Sequence, residues 1–303
     1  MITANNLTKK FDRFTALNGL NCSIPEGCIY GMVGSNGAGK STLLRLISGI
    51  YRPNGGTVTI DGQPVYDNPD VKNRLIFVPD ELFFLNRCTM NRMAQMYGSL
   101  YQNFSLEKYQ KLTDLFQLDP KANIGTFSKG MKRQAATVLA LSCNADYILF
   151  DETFDGLDPV MRNLVKNLLY EEVLSHKATA VITSHSLREL EDTCDQLALL
   201  HKGGIIFESE IDHLKTSLFK VQVAFSGDFD RKLFDGIRTL SFTKHGSVAS
   251  MIVRGDREET ETKIKAMQPI LFEILPLSLE EVFVYEMDAL GYAFSDVLKQ
   301  EVE

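Results

Sequence analysis

Gly34-Ser35-Asn36-Gly37-Ala38-Gly39-Lys40-Ser41 sets the architecture of this chain. The eight residues match the pattern G-x-x-x-x-G-K-[ST]. An apolar run, Cys28–Val33, stands directly before them, and a segment of helical period, STLLRLISG, begins at their end. A strand, a glycine loop and a helix in that order make the match meaningful. The glycines let the backbone bend until successive N–H groups face phosphate oxygens. The helix N-terminus adds positive potential at the same place. Gly34, Ser35, Asn36, Gly37, Ala38, Gly39 and Thr42 are therefore expected to cradle phosphates. Lys40 is expected to reach the β- and γ-phosphates, and Ser41 to ligate Mg²⁺.

Outward from the loop, the amino-terminal side reads as strands. Ile2–Lys10 and Leu20–Ile24 look extended, and Pro25-Glu26-Gly27 turns the chain into Cys28–Val33. Downstream, TVTIDG (57–62) and LIFVPD (75–80) are short strands closed by turn residues. From about 84 to 141 the period becomes helical, with helices expected over 89–101, 105–118 and 128–141. Ser105 and Ser128 are their candidate caps. Strand character returns at 147–151 and 178–184. Pro159 opens a helix running to about Val173, and SLRELEDTCD (186–195) reads as another; LALLH and IIFES close this part. After 214 the pattern changes to short strands with a charged helix over 256–267, ending in a helix and a frayed acidic tail.

The second chemical signal is Tyr147-Ile148-Leu149-Phe150-Asp151-Glu152. Four apolar residues make a buried strand, and two carboxylates follow at its carboxyl end, where open α/β sheets bind ligands. Successive side chains on a strand point in different directions, so two roles are natural. Asp151 is expected to hold Mg²⁺, directly or through water. Glu152 is expected to polarise the attacking water as general base.

Composition narrows the remaining classes. The chain has 303 residues, 44% of them hydrophobic and 23% charged, with a net charge of −7. That length suits one large domain and a small one. The acidic balance argues against nucleic-acid backbone binding as the main task. No apolar run approaches the roughly 18–20 residues that cross a bilayer. MITANNLTKKFDRF lacks the apolar core of a signal peptide. The five cysteines, 22, 28, 88, 143 and 194, form no Cys-x-x-Cys pair and are expected to be reduced, buried thiols.

Between the two phosphate-site motifs lies Phe127-Ser128-Lys129-Gly130-Met131-Lys132-Arg133-Gln134, which resembles the L-S-G-G-Q signature of the ABC ATPases. Gly156-Leu157-Asp158-Pro159 resembles the D-loop of that family, and Ser184-His185 its switch-histidine loop. Phe11 resembles the aromatic residue that stacks on adenine. These motifs stand in family order over roughly residues 2–210. The resemblance implies an α/β fold of the P-loop NTPase, ABC ATPase type: a β core with a helical subdomain at about 84–141, within an ATPase domain spanning 1–214. A small C-terminal α+β domain, 215–303, completes the chain.

By the same resemblance two ATPase domains pair head to tail, as a homodimer or with a related chain. Each ATP lies between one phosphate loop and the partner's signature, where Ser128 and Gly130 would meet the γ-phosphate. Asp158 would communicate between the two sites, and His185 would contact the γ-phosphate and the attacking water. Three departures stand out. Asp80 occupies the place of the family's glutamine, which offers an oxygen to Mg²⁺ or water; by the resemblance Asp80 would also offer an oxygen to the metal, with an added charge. Lys129 and Met131 replace glycine and glutamine in the signature. Thr153-Phe154 replaces the frequent Pro-Thr after the glutamate.

Ser278-Leu279-Glu280-Glu281-Val282-Phe283-Val284 resembles the S-L-E-x-V-F element near the end of exporter-type bacterial ABC ATPases, of the multidrug, antibiotic-peptide and GntR-regulated operon kinds. Read by period alone, the same residues are an amphipathic helix packing on the small domain. The expected function is ATP binding and hydrolysis that drives a membrane transporter, an exporter in particular, with a separate transmembrane permease subunit as partner. Such a chain would sit in the cytoplasm, peripheral on the inner face of the membrane. The alternative is a soluble ABC ATPase acting on a ribosome or DNA. The single phosphate loop and the absence of sustained heptads favour transport.

Overall fold

The computed structural model describes residues 1–289 and 291–292. The described residues form two compact units, one spanning 1–208 and the other beginning at 209. The final residues, including the acidic tail expected to fray, lie outside the described residues.

In chain order the first unit contains β1 (Ile2–Phe11), β2 (Phe14–Ile24), β3 (Ile29–Val33), α1 (Lys40–Ile47), β4 (Gly55–Ile60), β5 (Gln63–Pro64), α2 (Pro69–Asn73), β6 (Leu75–Val78), α3 (Met90–Leu100), α4 (Leu106–Leu115), α5 (Lys129–Leu141), β7 (Tyr147–Asp151), α6 (Pro159–His176), β8 (Thr179–Ser184), α7 (Leu187–Glu191), β9 (Gln196–His201) and β10 (Gly204–Glu210). Two sheets result. One is antiparallel, in the order β2-β1-β4-β5. The other has six strands, in the order β10-β9-β3-β8-β7-β6.

The pairs β9–β3, β3–β8, β8–β7 and β7–β6 are all parallel. Parallel strands covered on both faces read as unbroken apolar runs rather than alternations. That is why IYGMV and YILFD are buried at every position. Leu43, Leu44, Leu46 and Ile47 of α1 join side chains from both sheets in one core. Register then gathers chemistry. Val33 lies opposite Ser184, and Asp151 opposite Thr183. The residues that follow β3, β6, β7 and β8 therefore emerge along one sheet edge.

The helical segment follows its caps. Ser105 Oγ accepts from Lys108 N at 3.1 Å and Ser128 Oγ from Met131 N at 3.2 Å, each filling an orphan donor of the first turn. Three elements differ from the sequence reading. β2 begins at Phe14, because pairing with β1 extends it beyond its apolar residues. Asn68 caps a short helix, α2, with Pro69 in its first turn, where proline costs no hydrogen bond. The helix expected over 186–195 stops at Glu191, because Asp195 is already committed to the sheet: its N–H donates to Ile29 O and its carboxylate accepts from Ile29 N.

The second unit contains α8 (Ile211–Ser217), β11 (Leu218–Ala224), β12 (Thr239–His245), β13 (Val248–Arg254), α9 (Arg257–Ala266), β14 (Leu271–Pro276) and α10 (Leu279–Ala289). Its antiparallel sheet runs β12-β13-β11-β14. Val221, Val223, Phe234, Met251 and Ile264 form a separate core. Ser278 and Glu281 make a reciprocal capping box at the start of α10: Ser278 N donates to Glu281 Oε2 at 2.9 Å, and Glu281 N to Ser278 Oγ at 3.3 Å. Leu279, Val282 and Phe283 are buried behind it. The serine and glutamate of S-L-E-E-V-F thus start a helix, and its apolar residues anchor that helix.

Candidate functional site

Gly34–Ser41 wraps from the end of β3 into α1. Gly39 lies at φ +111°, a conformation that residues with a side chain rarely adopt, and α1 begins at the next residue. Gly34 is pressed against β9, where a Cβ would lie 2.4 Å from Leu200 O. Gly203 N donates to Ala38 O at 3.0 Å and ties the loop to the turn after β9. The loop is rigidly built, as preorganised phosphate binding requires.

A cavity of about 370 Å³ opens over it. Ser35, Asn36, Gly37, Ala38, Gly39, Lys40, Ser41 and Thr42 line one side, with Asp80, Glu152, Asp155 and His185 across from them and Phe14 and Ala16 at the margin. Lys40 is 5% exposed. Its Nζ donates to Gly34 O at 2.6 Å and lies 3.3 Å from Glu152 Oε1. Glu152 adopts φ +50°, which turns its side chain out of the strand course that Asp151 ends. Its other carboxylate oxygen lies 2.9 Å from His185 Nδ1. The expected base therefore touches both the lysine, more than a hundred residues before it, and the histidine, 33 residues after it.

Asp151 is fully buried. Its Oδ1 accepts from Ser41 Oγ at 3.0 Å and from Thr183 Oγ1 at 2.7 Å, while its Oδ2 has no hydrogen-bond partner. A buried carboxylate oxygen left bare is costly in a purely structural role. Beside a serine hydroxyl at the phosphate loop, an oxygen-donor pair of this kind suits a hard divalent cation such as Mg²⁺. Asp80 lines the same cavity, but its Oδ1 accepts from Arg133 Nη2 at 2.5 Å. The cation ligands expected from sequence thus separate: Ser41 and Asp151 meet, and Asp80 is engaged by a guanidinium.

Ser128 caps α5 and is exposed, and Gly130 packs against the turn after β7, where a Cβ would lie 3.0 Å from Gly156 O. Asp158 caps α6, accepting from Val160 N and Met161 N at 3.0 Å. None of these three lines the cavity of its own chain. Phe11 does not line it either. Its ring meets Tyr51 edge-on at 5.3 Å, with Lys9 Nζ 5.0 Å from its centroid. The aromatic residue at the margin is Phe14, 58% exposed.

Sequence reasoning passed over Phe14, Asp155, Thr183 and Arg133. The exposed aromatic in Lys-Phe-Asp-Arg-Phe was a visible signal for Phe14. Thr183 carries no signal by itself; only strand register sets it beside Asp151. His185 is steadied by neighbours equally hard to foresee: Ser184 Oγ donates to Glu189 Oε2 at 2.6 Å and accepts from Ser186 N at 2.9 Å.

Known proteins resemble this chain in sequence and in fold. Residues 17–155 match the ABC transporter family. The chain is 29% identical over 285 residues to the ABC transporter ATP-binding protein YtrB of Bacillus subtilis (strain 168), covering 94% of this chain and 97% of that one. It is 30% identical to the ABC transporter ATP-binding protein NatA of the same organism, covering 72% and 92%. To the daunorubicin/doxorubicin resistance ATP-binding protein DrrA of Streptomyces peucetius it is 31% identical, covering 72% and 67%. Among solved structures, an ATP-binding subunit of an ABC transporter superposes with a TM-score of 0.66 at 24% identity, covering 71% and 92%. The dimeric bacterial ABC transporter cassette MJ0796 superposes with 0.64 at 23%, covering 70% and 99%, a likeness of fold. With its phosphate loop, paired carboxylates and histidine on one sheet edge, the chain belongs to the ABC transporter ATP-binding proteins and is an ATP-binding, ATP-hydrolysing subunit.

Proposed function

We propose that this chain drives a membrane exporter whose spanning subunit is a separate protein. Among the described residues no helix is long and apolar enough to cross a membrane. YtrB, DrrA and the bacitracin transport ATP-binding protein BcrA of Bacillus licheniformis support a transport reading, the last two by names that concern drugs and antibiotics. The working place is the inner face of the membrane, where the permease holds the chain.

The observation that carries the ATPase chemistry is the Lys40–Glu152–His185 contact beside a buried, half-satisfied Asp151. The loop N–H groups and the start of α1 receive the phosphates. Lys40 exchanges Glu152 for phosphate oxygen as ATP enters. Glu152 is thereby freed to accept a proton from the attacking water, and His185 holds that carboxylate in place from its other oxygen. Ser41 and Asp151 would hold Mg²⁺, which when bound neutralises phosphate charge. Phe14 offers an apolar face at the margin where a nucleotide base would rest, with Phe11 on the adjoining strand.

Ser128 is exposed, Gly130 is half-buried, and neither lines the cavity of its own chain. The site therefore acquires a signature only from a second ATPase domain, and the exposed start of α5 is chemically suited to the γ-phosphate. This supports ATP-dependent head-to-tail dimerisation, with Asp158 next to the joint. Co-purification of the tagged chain from membranes tests the assignment. A polytopic membrane protein recovered in stoichiometric amount is expected. Stable recovery with ribosomes instead would overturn the transport reading.

A further inference from the structure

The nucleotide cavity is rich in negative charge for a site that takes a triphosphate. Asp80, Glu152 and Asp155 line it, and Lys40 is the one lysine or arginine among the lining residues. Glu152 is met inside the cavity by Lys40 and His185. Asp80 is met from outside it. Arg133, on α5 and five residues beyond Ser128, reaches Asp80 Oδ1 through Nη2 at 2.5 Å.

Arg133 is 1% exposed while Asp80 is 55% exposed. The Nε and Nη1 atoms of Arg133 have no hydrogen-bond partner. A guanidinium remains charged at any depth, and a buried charge is retained only with compensation. The compensation here is a carboxylate at the edge of the phosphate site. The family resemblance places a neutral glutamine where Asp80 stands, so Asp80 adds a charge that another residue must balance.

We propose that Arg133 is a positioning residue for nucleotide binding. It neutralises Asp80 from beneath the cavity and holds that carboxylate at the rim. The triphosphate then meets Lys40 and the loop N–H groups without an uncompensated anion beside them. The inference rests on the reading of this cavity as the ATP site. It also means that the segment after β6 is held by charge to the helix that Ser128 caps.

The test is equilibrium titration of the full chain with a fluorescent ATP analogue in EDTA, so that no divalent cation contributes, at low and at high salt. Arg133→Met should weaken binding about tenfold at low salt and less at high salt, because the freed charge of Asp80 acts through solvent-screened space. Asp80→Asn should bind at least as tightly as the unaltered chain. The double variant should return to within about threefold of it. Thermal unfolding of each variant reads the loss of fold separately. A purely structural pair would lower the melting temperature in both single variants and leave the folded fraction's affinity unmoved.

Weaker binding by Asp80→Asn, or unchanged affinity in folded Arg133→Met, would overturn the proposal. Asp80 is half exposed, so its variant keeps the test alive even where Arg133→Met fails to fold. Failure of the unaltered chain to bind the analogue would instead remove the reading of the cavity, and this inference with it.

Discussion

Replacing Glu152 by glutamine separates binding from chemistry. Glu152 touches both Lys40, at 3.3 Å, and His185, at 2.9 Å, and is 13% exposed. Glutamine keeps the shape and loses the proton acceptor. Loss of a general base costs about 10²–10⁴ in rate, or about 3–5 kcal/mol of barrier. The same change frees Lys40. At 3.3 Å and an effective dielectric of about 20, the gross attraction of the pair is about 5 kcal/mol. Most of that is offset by desolvation, and Lys40 keeps its contact with Gly34 O. A net release of about 1 kcal/mol is expected, so ATP should bind about fivefold tighter. Phosphate release measures turnover, and titration of a fluorescent nucleotide measures affinity. Turnover within tenfold of the unaltered chain would remove Glu152 from the role. Weaker ATP binding would show that Glu152 and phosphate do not compete for Lys40.

Further consequences can be measured independently. Ser128→Arg places a long cation at the exposed start of α5; it should leave ATP binding by the monomer intact and abolish the ATP-dependent dimer in sedimentation. Gly34→Ala sets a Cβ 2.4 Å from Leu200 O, so the urea midpoint should fall by the equivalent of about 2 kcal/mol at unchanged slope. Phe14→Ala should weaken nucleotide binding more than Phe11→Ala, since Phe14 lines the cavity and Phe11 packs on Tyr51; the reverse order would place the base on Phe11. Burial pushes the thiols of Cys22 and Cys143 up to about 12 and that of Cys28 to about 11. At pH 8 thiolate is then at most about a thousandth of each, so a thiol reagent should label these sites in the native chain only as fast as it opens. Rapid labelling of native protein would contradict the buried placement.

Local signals carried most of the architecture. The glycine loop, the serine caps of α4 and α5 and the apolar runs of β3 and β7 act through neighbours within a few residues, so sequence is sufficient to read them. The paired carboxylates were legible for the same reason, although the turn that separates them depends on Glu152 taking a positive φ. α7 is shorter than its amphipathic period predicts, because that period continues past the point where Asp195 pairs with Ile29, a partner 166 residues away.

Sequence order alone determined that this chain has a phosphate loop, a paired carboxylate and a set of ABC motifs, because each is a short string whose chemistry is local. The fold supplied their convergence. Parallel pairing of β3, β8, β7 and β6 puts the ends of strands far apart in sequence at one edge, and register sets Thr183 beside Asp151. Packing of α5 brings Arg133 to Asp80 across 53 residues. A string of residues does not encode such distances individually. They follow from which faces are apolar enough to be buried together, and so from the whole core.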